Sequence, residues 1–80
     1  MIVTIAMPRL ADTMEEGTVL AWTKAVGDHV ARGETICEIE MEKAAMTYES
    51  HIAGQLVRII VAAGDTAPVG APIAELDVDG

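Results

Sequence analysis

Apolar and polar residues alternate along much of this 80-residue chain, in short runs broken by glycine. From Cys37 to Glu42, Cys37, Ile39 and Met41 alternate with Glu38, Glu40 and Glu42. A period of two is that of a half-buried strand. Runs rich in β-branched residues predict strands near 2–6, 18–24, 36–42, 45–49, 55–61 and 72–77, with minor ones around 29–31 and 66–69. Helical periodicity is weak, and even the best helical segment, Asp12–Glu16 ended by Gly17, reads as plain loop before helix. Short strands with evenly spaced turns indicate an all-β sandwich or small barrel.

The chain repeats itself. Shifted by 37 positions, Gly17–Glu40 lies over Gly54–Asp77 without a gap. Gly17/Gly54, Ala25/Ala62, Gly27/Gly64, Asp28/Asp65, Gly33/Gly70, Ile36/Ile73 and Glu38/Glu75 are identical pairs. Two copies are too few for a solenoid, so two similar halves about a pseudo-twofold axis are expected. The repeated glycines mark tight turns or positive φ.

The register of one hairpin follows from parity. If the strand ending at Met41 ran on, Lys43 would face the core, and a buried unpaired ammonium is costly. The chain therefore turns. A Lys43-Ala44 tip pairs Glu42 with Ala45, Met41 with Met46, Glu40 with Thr47, Ile39 with Tyr48 and Glu38 with Glu49. Lys43-Ala44 lacks the Asn-Gly or Gly-X chemistry of primed turns, so a type I turn is expected. Lys43 is one of only two lysines, the other being Lys24. Lys24 aligns with Val61 and reads as an ordinary strand-end charge, whereas Lys43 stands at the join between the repeats.

Composition narrows the function. The formal net charge of −8 argues against nucleic acid as a partner and favours basic partner surfaces. No apolar run is long enough to span a bilayer as a helix. Met1-Ile-Val-Thr-Ile has no basic, apolar signal pattern, so an unprocessed N-terminus is expected. Cys37 is the only cysteine and reads as a small buried apolar residue. His29 and His51 are isolated and read as solvated, and Trp22, aligned with Ile59, reads as core. No phosphate loop, metal-ligand spacing or nucleophile motif is present.

These residues resemble the lipoyl domain of the acyltransferase component of 2-oxo acid dehydrogenase complexes, over nearly the whole chain. Met7-Pro8-Arg9-Leu10-Ala11-Asp12-Thr13-Met14-Glu15-Glu16-Gly17 follows that family's MPxLxDTMxEG stretch. Trp22, Gly27-Asp28, Val30 and Gly33 follow its W…GDxVxxG. Glu38-Ile39-Glu40, Lys43-Ala44, Met46 and Glu49-Ser50 follow its ExExDKAxMEVxS region, and Val69-Gly70 its PVG. The chain departs from the pattern before the lysine, where Met41-Glu42 stands for Thr-Asp.

The resemblance implies a flattened β-barrel of two four-stranded antiparallel sheets, a barrel-sandwich hybrid. The lysine would lie on a hairpin tip of one sheet and the termini close together in the other. It implies lipoate joined by an amide to Lys43, which would take the formal charge from −8 to about −9. Glu40, Glu42 and Ala44 would be read by the lipoate-attaching enzyme. Leu10, Asp12, Thr13, Met14, Glu15 and Glu16 would be read by a thiamine-diphosphate 2-oxo acid decarboxylase. Asp12, Glu15, Glu16, Glu40 and Glu42 would form an acidic rim. The arm would be acylated by the decarboxylase, deliver to coenzyme A at an acyltransferase core, and be reoxidised by dihydrolipoamide dehydrogenase, a flavin enzyme.

Residues 1–77 would be a monomeric, non-catalytic domain and 78–80 the start of a linker. The parent chain would be a dihydrolipoamide acyltransferase in the bacterial cytoplasm or, in a eukaryote, the mitochondrial matrix. Rival readings are a biotin carboxyl carrier, whose lysine typically lies between two methionines, and an unmodified assembly module. A third is a glycine-cleavage carrier, usually longer.

Overall fold

The computed structural model describes residues 1–42 and 44–79. Eight strands run in chain order: β1 (Ile2–Ala6), β2 (Glu16–Trp22), β3 (His29–Val30), β4 (Thr35–Met41), β5 (Ala44–Glu49), β6 (Gly54–Ile59), β7 (Thr66–Pro68) and β8 (Pro72–Asp77). They form two four-stranded antiparallel sheets, ordered β1-β8-β6-β3 and β5-β4-β2-β7. The expected strands are present within a residue or two. Asp12–Glu16 is loop, not helix, as the weak periodicity favours: Ala11–Thr13 bends into a turn, with Met14 N–H donating to Ala11 O at 3.0 Å, and Glu16 already belongs to β2.

The 37-residue repeat becomes a structural twofold. It carries β2, β3 and β4 onto β6, β7 and β8, so one sheet maps onto the other. Each half lends a strand to its partner's sheet: β3 pairs with β6, and β7 with β2. The backbone bonds of the turns repeat as well. Gly27 N–H donates to Leu56 O and Gly64 N–H to Val19 O, both at 2.7 Å. Asp28 N–H donates to Ala25 O, and Asp65 N–H to Ala62 O. Gly27, Gly33, Gly64 and Gly70 have φ of 99°, 86°, 95° and 91°, the left-handed region where a side chain is strained.

Equivalent positions fill the core. Val19/Leu56, Val30/Ala67, Ile36/Ile73, Cys37/Ala74 and Ile39/Leu76 are all buried. With no phenylalanine available, these aliphatic pairs provide the apolar burial, each large side chain contributing about 1.5–3 kcal/mol. Register breaks recur too. Leu20 and Val57 fall at bulges in β2 and β6, and Ile36 and Ile73 at breaks in β4 and β8. Trp22 is half-buried against the core and its indole Nε1–H donates to Val61 O at 2.9 Å.

The chain ends meet between β1 and β8. Val78 N–H donates to Met1 O at 2.7 Å, and the Met1 ammonium donates to Val78 O at 3.0 Å and reaches Asp77 Oδ1 at 3.2 Å. The linker expected from residue 78 thus has its first residue packed into the domain, with Val78 only 8% exposed.

Candidate functional site: the β4–β5 turn

The β4–β5 hairpin closes at Met41 opposite Ala44, with Glu40 opposite Ala45, Ile39 opposite Met46, Glu38 opposite Thr47 and Cys37 opposite Tyr48. This corrects the expected register by two residues. Residues 42 and 43, not 43 and 44, connect the strands. Glu42 has φ 53°, in the left-handed region. The expected type I turn is therefore replaced by a turn whose first central residue has positive φ, as in primed hairpins. The opposition of Glu38 and Glu49 also disappears, since Glu49 faces Thr35. Lys43 lies outside the described residues.

The outward carboxylates Glu38, Glu40 and Glu42 are exposed, as parity predicts, while Cys37 and Ile39 are buried and Met41 partly so. Met46 departs from expectation. It shares the inward side with Ile39 but is 40% exposed, because β5 is an edge strand with a neighbour on one side only. Ala44 and Ala45 are exposed.

The segment before β2 reaches the same end of the sheet. Thr18 pairs with Glu40, so two residues further along each strand bring Glu16 level with Glu42. Asp12, Thr13, Glu15 and Glu16 are exposed, and Leu10 is half-buried against the core. Met14 is different: at 4% exposure it is a core residue. That corrects its assignment to a partner surface, since a buried side chain meets no partner. Its Sδ accepts the Leu10 N–H at 3.2 Å. The far end of the segment is tied to β7 by Val69 N–H donating to Glu15 O at 2.9 Å.

Sequence reasoning gave Arg9 no part here. Its Nη1 donates to Asp12 O at 3.2 Å and to Met14 O at 2.9 Å, bracing the turn from one side. Alternation carries no signal for a bond from a side chain to the backbone three and five residues on.

The other reactive groups are engaged or inert. Lys24 Nζ lies 2.8 Å from Glu34 Oε2, with the lysine side chain 21% exposed. Glu34 also accepts the Ala31 N–H at 2.9 Å, and these two bonds hold its carboxyl below the usual range. Burial pushes the Cys37 thiol up to about 12, so it stays protonated and unreactive at neutral pH. His29 and His51 are exposed. Among the described residues no His, Cys, Asp and Glu cluster could hold a metal ion. A cleft lined by His29, Gln55, Asp77 and Asp79 belongs to the other sheet.

The geometry is that of a two-halved scaffold whose β4 and β5 close at Met41 and Ala44 at one end of one sheet, with exposed carboxylates nearby. The sequence model of a family described as "Biotin-requiring enzyme", the biotin/lipoyl group, matches residues 3–76. The chain belongs to the biotin/lipoyl domain family.

The proteins it is similar to include dihydrolipoyllysine-residue acyltransferase components and a solved lipoyl domain. The chain is 45% identical over 69 residues to the dihydrolipoyllysine-residue acetyltransferase component 4 of the pyruvate dehydrogenase complex, chloroplastic, of Arabidopsis thaliana. That match covers 86% of this chain and 14% of the relative. It is 46% identical over 81 residues to the pyruvate dehydrogenase E1 component subunit beta of Rhizobium meliloti (strain 1021), covering 100% of this chain and 18% of that one. The chain thus spans under a fifth of the length of these relatives. The solution structure of the lipoyl domain of the 2-oxoglutarate dehydrogenase complex from Azotobacter vinelandii matches with a TM-score of 0.78 and 31% identity, over 98% of this chain and 99% of that domain.

Proposed function

We propose that this domain carries a lipoyl group in amide linkage to Lys43 and moves acyl groups within a 2-oxo acid dehydrogenase complex. The observation that carries the reading is the closure of the β4–β5 hairpin at Met41 and Ala44, which confines the connection to Glu42 and Lys43. The only other lysine, Lys24, is held by Glu34. The flanking residues fit a long attached arm, because Glu42, Ala44 and Ala45 are exposed and the two alanines add no bulk beside the turn.

When bound, lipoate supplies acyl-carrying and dithiol–disulfide chemistry. The chain supplies position. The ladder fixes the turn relative to the acidic segment before β2, so an enzyme approaching residue 43 meets both at once. Tethering holds the carried group at a high effective concentration near each successive site. The partners in this reading are the attaching enzyme, a thiamine-diphosphate decarboxylase, an acyltransferase core and dihydrolipoamide dehydrogenase. The carboxylate rim suits basic surfaces on them.

Lipoate is favoured over biotin because Lys43 has Glu42 and Ala44 as neighbours, not two methionines. The parent chain in this reading is an acyltransferase component. A second reading, a decarboxylase β subunit carrying this domain, is favoured by the 46% identity of this whole chain to 18% of the Rhizobium protein.

Intact-mass measurement on protein made in its native host tests the proposal. The expected gain is lipoic acid less one water, absent from Lys43→Ala. A biotin increment, or no increment with lipoate supplied, rejects it.

A further inference from the structure

We propose that Arg9 is a positioning residue: its guanidinium holds the 10–16 segment in the shape met by the decarboxylase that acylates the carried group. The inference rests on the carrier reading above. It stands on two bonds from one atom, Arg9 Nη1, to the carbonyls of Asp12 and Met14, at 3.2 and 2.9 Å.

Apart from Leu10 packing on the core and the Val69 N–H bond to Glu15 O at its far end, the segment depends on its own turn. It is a turn with no ladder partner before Glu16. Its internal bonds are Met14 N–H to Ala11 O and the weaker Leu10 N–H to Met14 Sδ. Buried Met14 anchors its middle. Asp12, Glu15 and Glu16 make the segment acidic, and Arg9 is the only cationic side chain between residues 1 and 23. Arg9 therefore satisfies two carbonyls of the segment from a single place. A bond to a charged donor is stronger than a neutral one.

The segment ends level with the β4–β5 turn, so an enzyme working on a group carried there contacts its exposed Asp12, Thr13, Glu15 and Glu16. A segment ordered beforehand loses less entropy on docking. Removing Arg9 should then weaken docking and leave the chemical step alone.

Two measurements on the lipoylated domain test this. In Arg9→Ala, amide exchange at Leu10 and Met14 should quicken about tenfold while the β4 amides keep their protection. With the decarboxylase of the same complex, KM should rise about three- to tenfold and kcat should stay within about twofold. Arg9→Lys should recover part of both effects, since an ammonium can still donate to either carbonyl.

Unchanged exchange, or faster exchange with unchanged KM, overturns the proposal. A raised KM with unchanged exchange assigns Arg9 to direct contact with the enzyme and overturns it as well. Failure of the carrier reading shows separately, as a wild-type domain that never gains the lipoyl mass. That removes the decarboxylase half of the proposal, while the exchange data still decide whether the brace exists.

Discussion

A methyl group added at Gly54 would lie 2.7 Å from the carbonyl oxygen of Asp77, and one at Gly17 would lie 2.8 Å from Met14 Cε and 2.9 Å from Ile39 Cγ2. The repeat singled out both glycines, yet neither is needed for positive φ. They are needed because another part of the molecule passes where a Cβ would be. That cause is tertiary and invisible to a turn-based reading. The obstacles also differ. Asp77 O is backbone in a strand paired to β6, so the sheet itself would have to yield. At Gly17 the obstacles are side chains: Met14 Cε is the end of a flexible one that can move aside, and Ile39 Cγ2 sits on a stiffer β-branched one that gives less. Gly54→Ala should therefore cost about 3 kcal/mol and Gly17→Ala about 1 kcal/mol, the two ends of the overpacking range. Urea unfolding of the two variants checks the order, and equal losses would refute the distinction between backbone and side-chain obstacles.

At the scale of the hairpin, alternation determined which residues face inward but not which residues are opposed. A slip of one residue would turn every apolar side chain outward, whereas a slip of two leaves each on its original face. Cys37, Ile39 and Met41 thus kept their expected side, although Ile39 and Met41 have different partners. Turn chemistry was the remaining guide, and it misled because a glutamate stands at φ 53°. Left-handed geometry costs a non-glycine residue roughly 1 kcal/mol, so the surrounding ladder must hold Glu42 there. The segment before β2 reads as loop, and the structure shows what holds it out of a helix. Asp12–Glu16 is a plausible first helical turn by composition, but burial of Met14 and pairing of Glu16 with Pro68 claim its residues for the sheet. If modification at residue 43 depends on its place in the turn, exchanging the two residues is a sharp test. Glu42→Lys combined with Lys43→Glu keeps the charge and keeps a lysine in the connection, but moves it one position into the left-handed conformation. Lipoylation by the attaching enzyme should fall by about a hundredfold, the scale expected for a small misplacement of a reacting atom, with the melting temperature little changed. Timed intact-mass measurements read this directly, and a wild-type rate would show that any lysine in the turn suffices.

Across the whole molecule, the twofold that was visible as a 37-residue repeat also relates features that no alignment covers. It carries Met41 onto Val78, and the closing pair Met41–Ala44 onto the pair Val78–Met1. The Met1–Val78 pair is joined by reciprocal bonds, Val78 N–H to Met1 O at 2.7 Å and the Met1 ammonium to Val78 O at 3.0 Å. Met1 and Val78 therefore occupy the place of a hairpin whose tip is open, and the β4–β5 turn is the same hairpin closed. Opening one and closing the other should return nearly the same fold with its halves exchanged. A circular permutant that starts at Ala44, ends at Glu42 and joins Val78 to Met1 through two or three residues such as Asn-Gly should fold cooperatively. It keeps every ladder, replaces one short loop by another of similar closure entropy, and removes the left-handed constraint on Glu42. Its stability should lie within about 1–2 kcal/mol of the parent, and it should take no lipoyl group because residue 43 is gone. Thermal and urea unfolding followed by circular dichroism, with amide exchange across β4 and β8, would measure this. A permutant that unfolds or loses several kcal/mol would mean that the two halves are alike in outline but not interchangeable in what they support, and that the β4–β5 turn contributes to folding as well as to presentation.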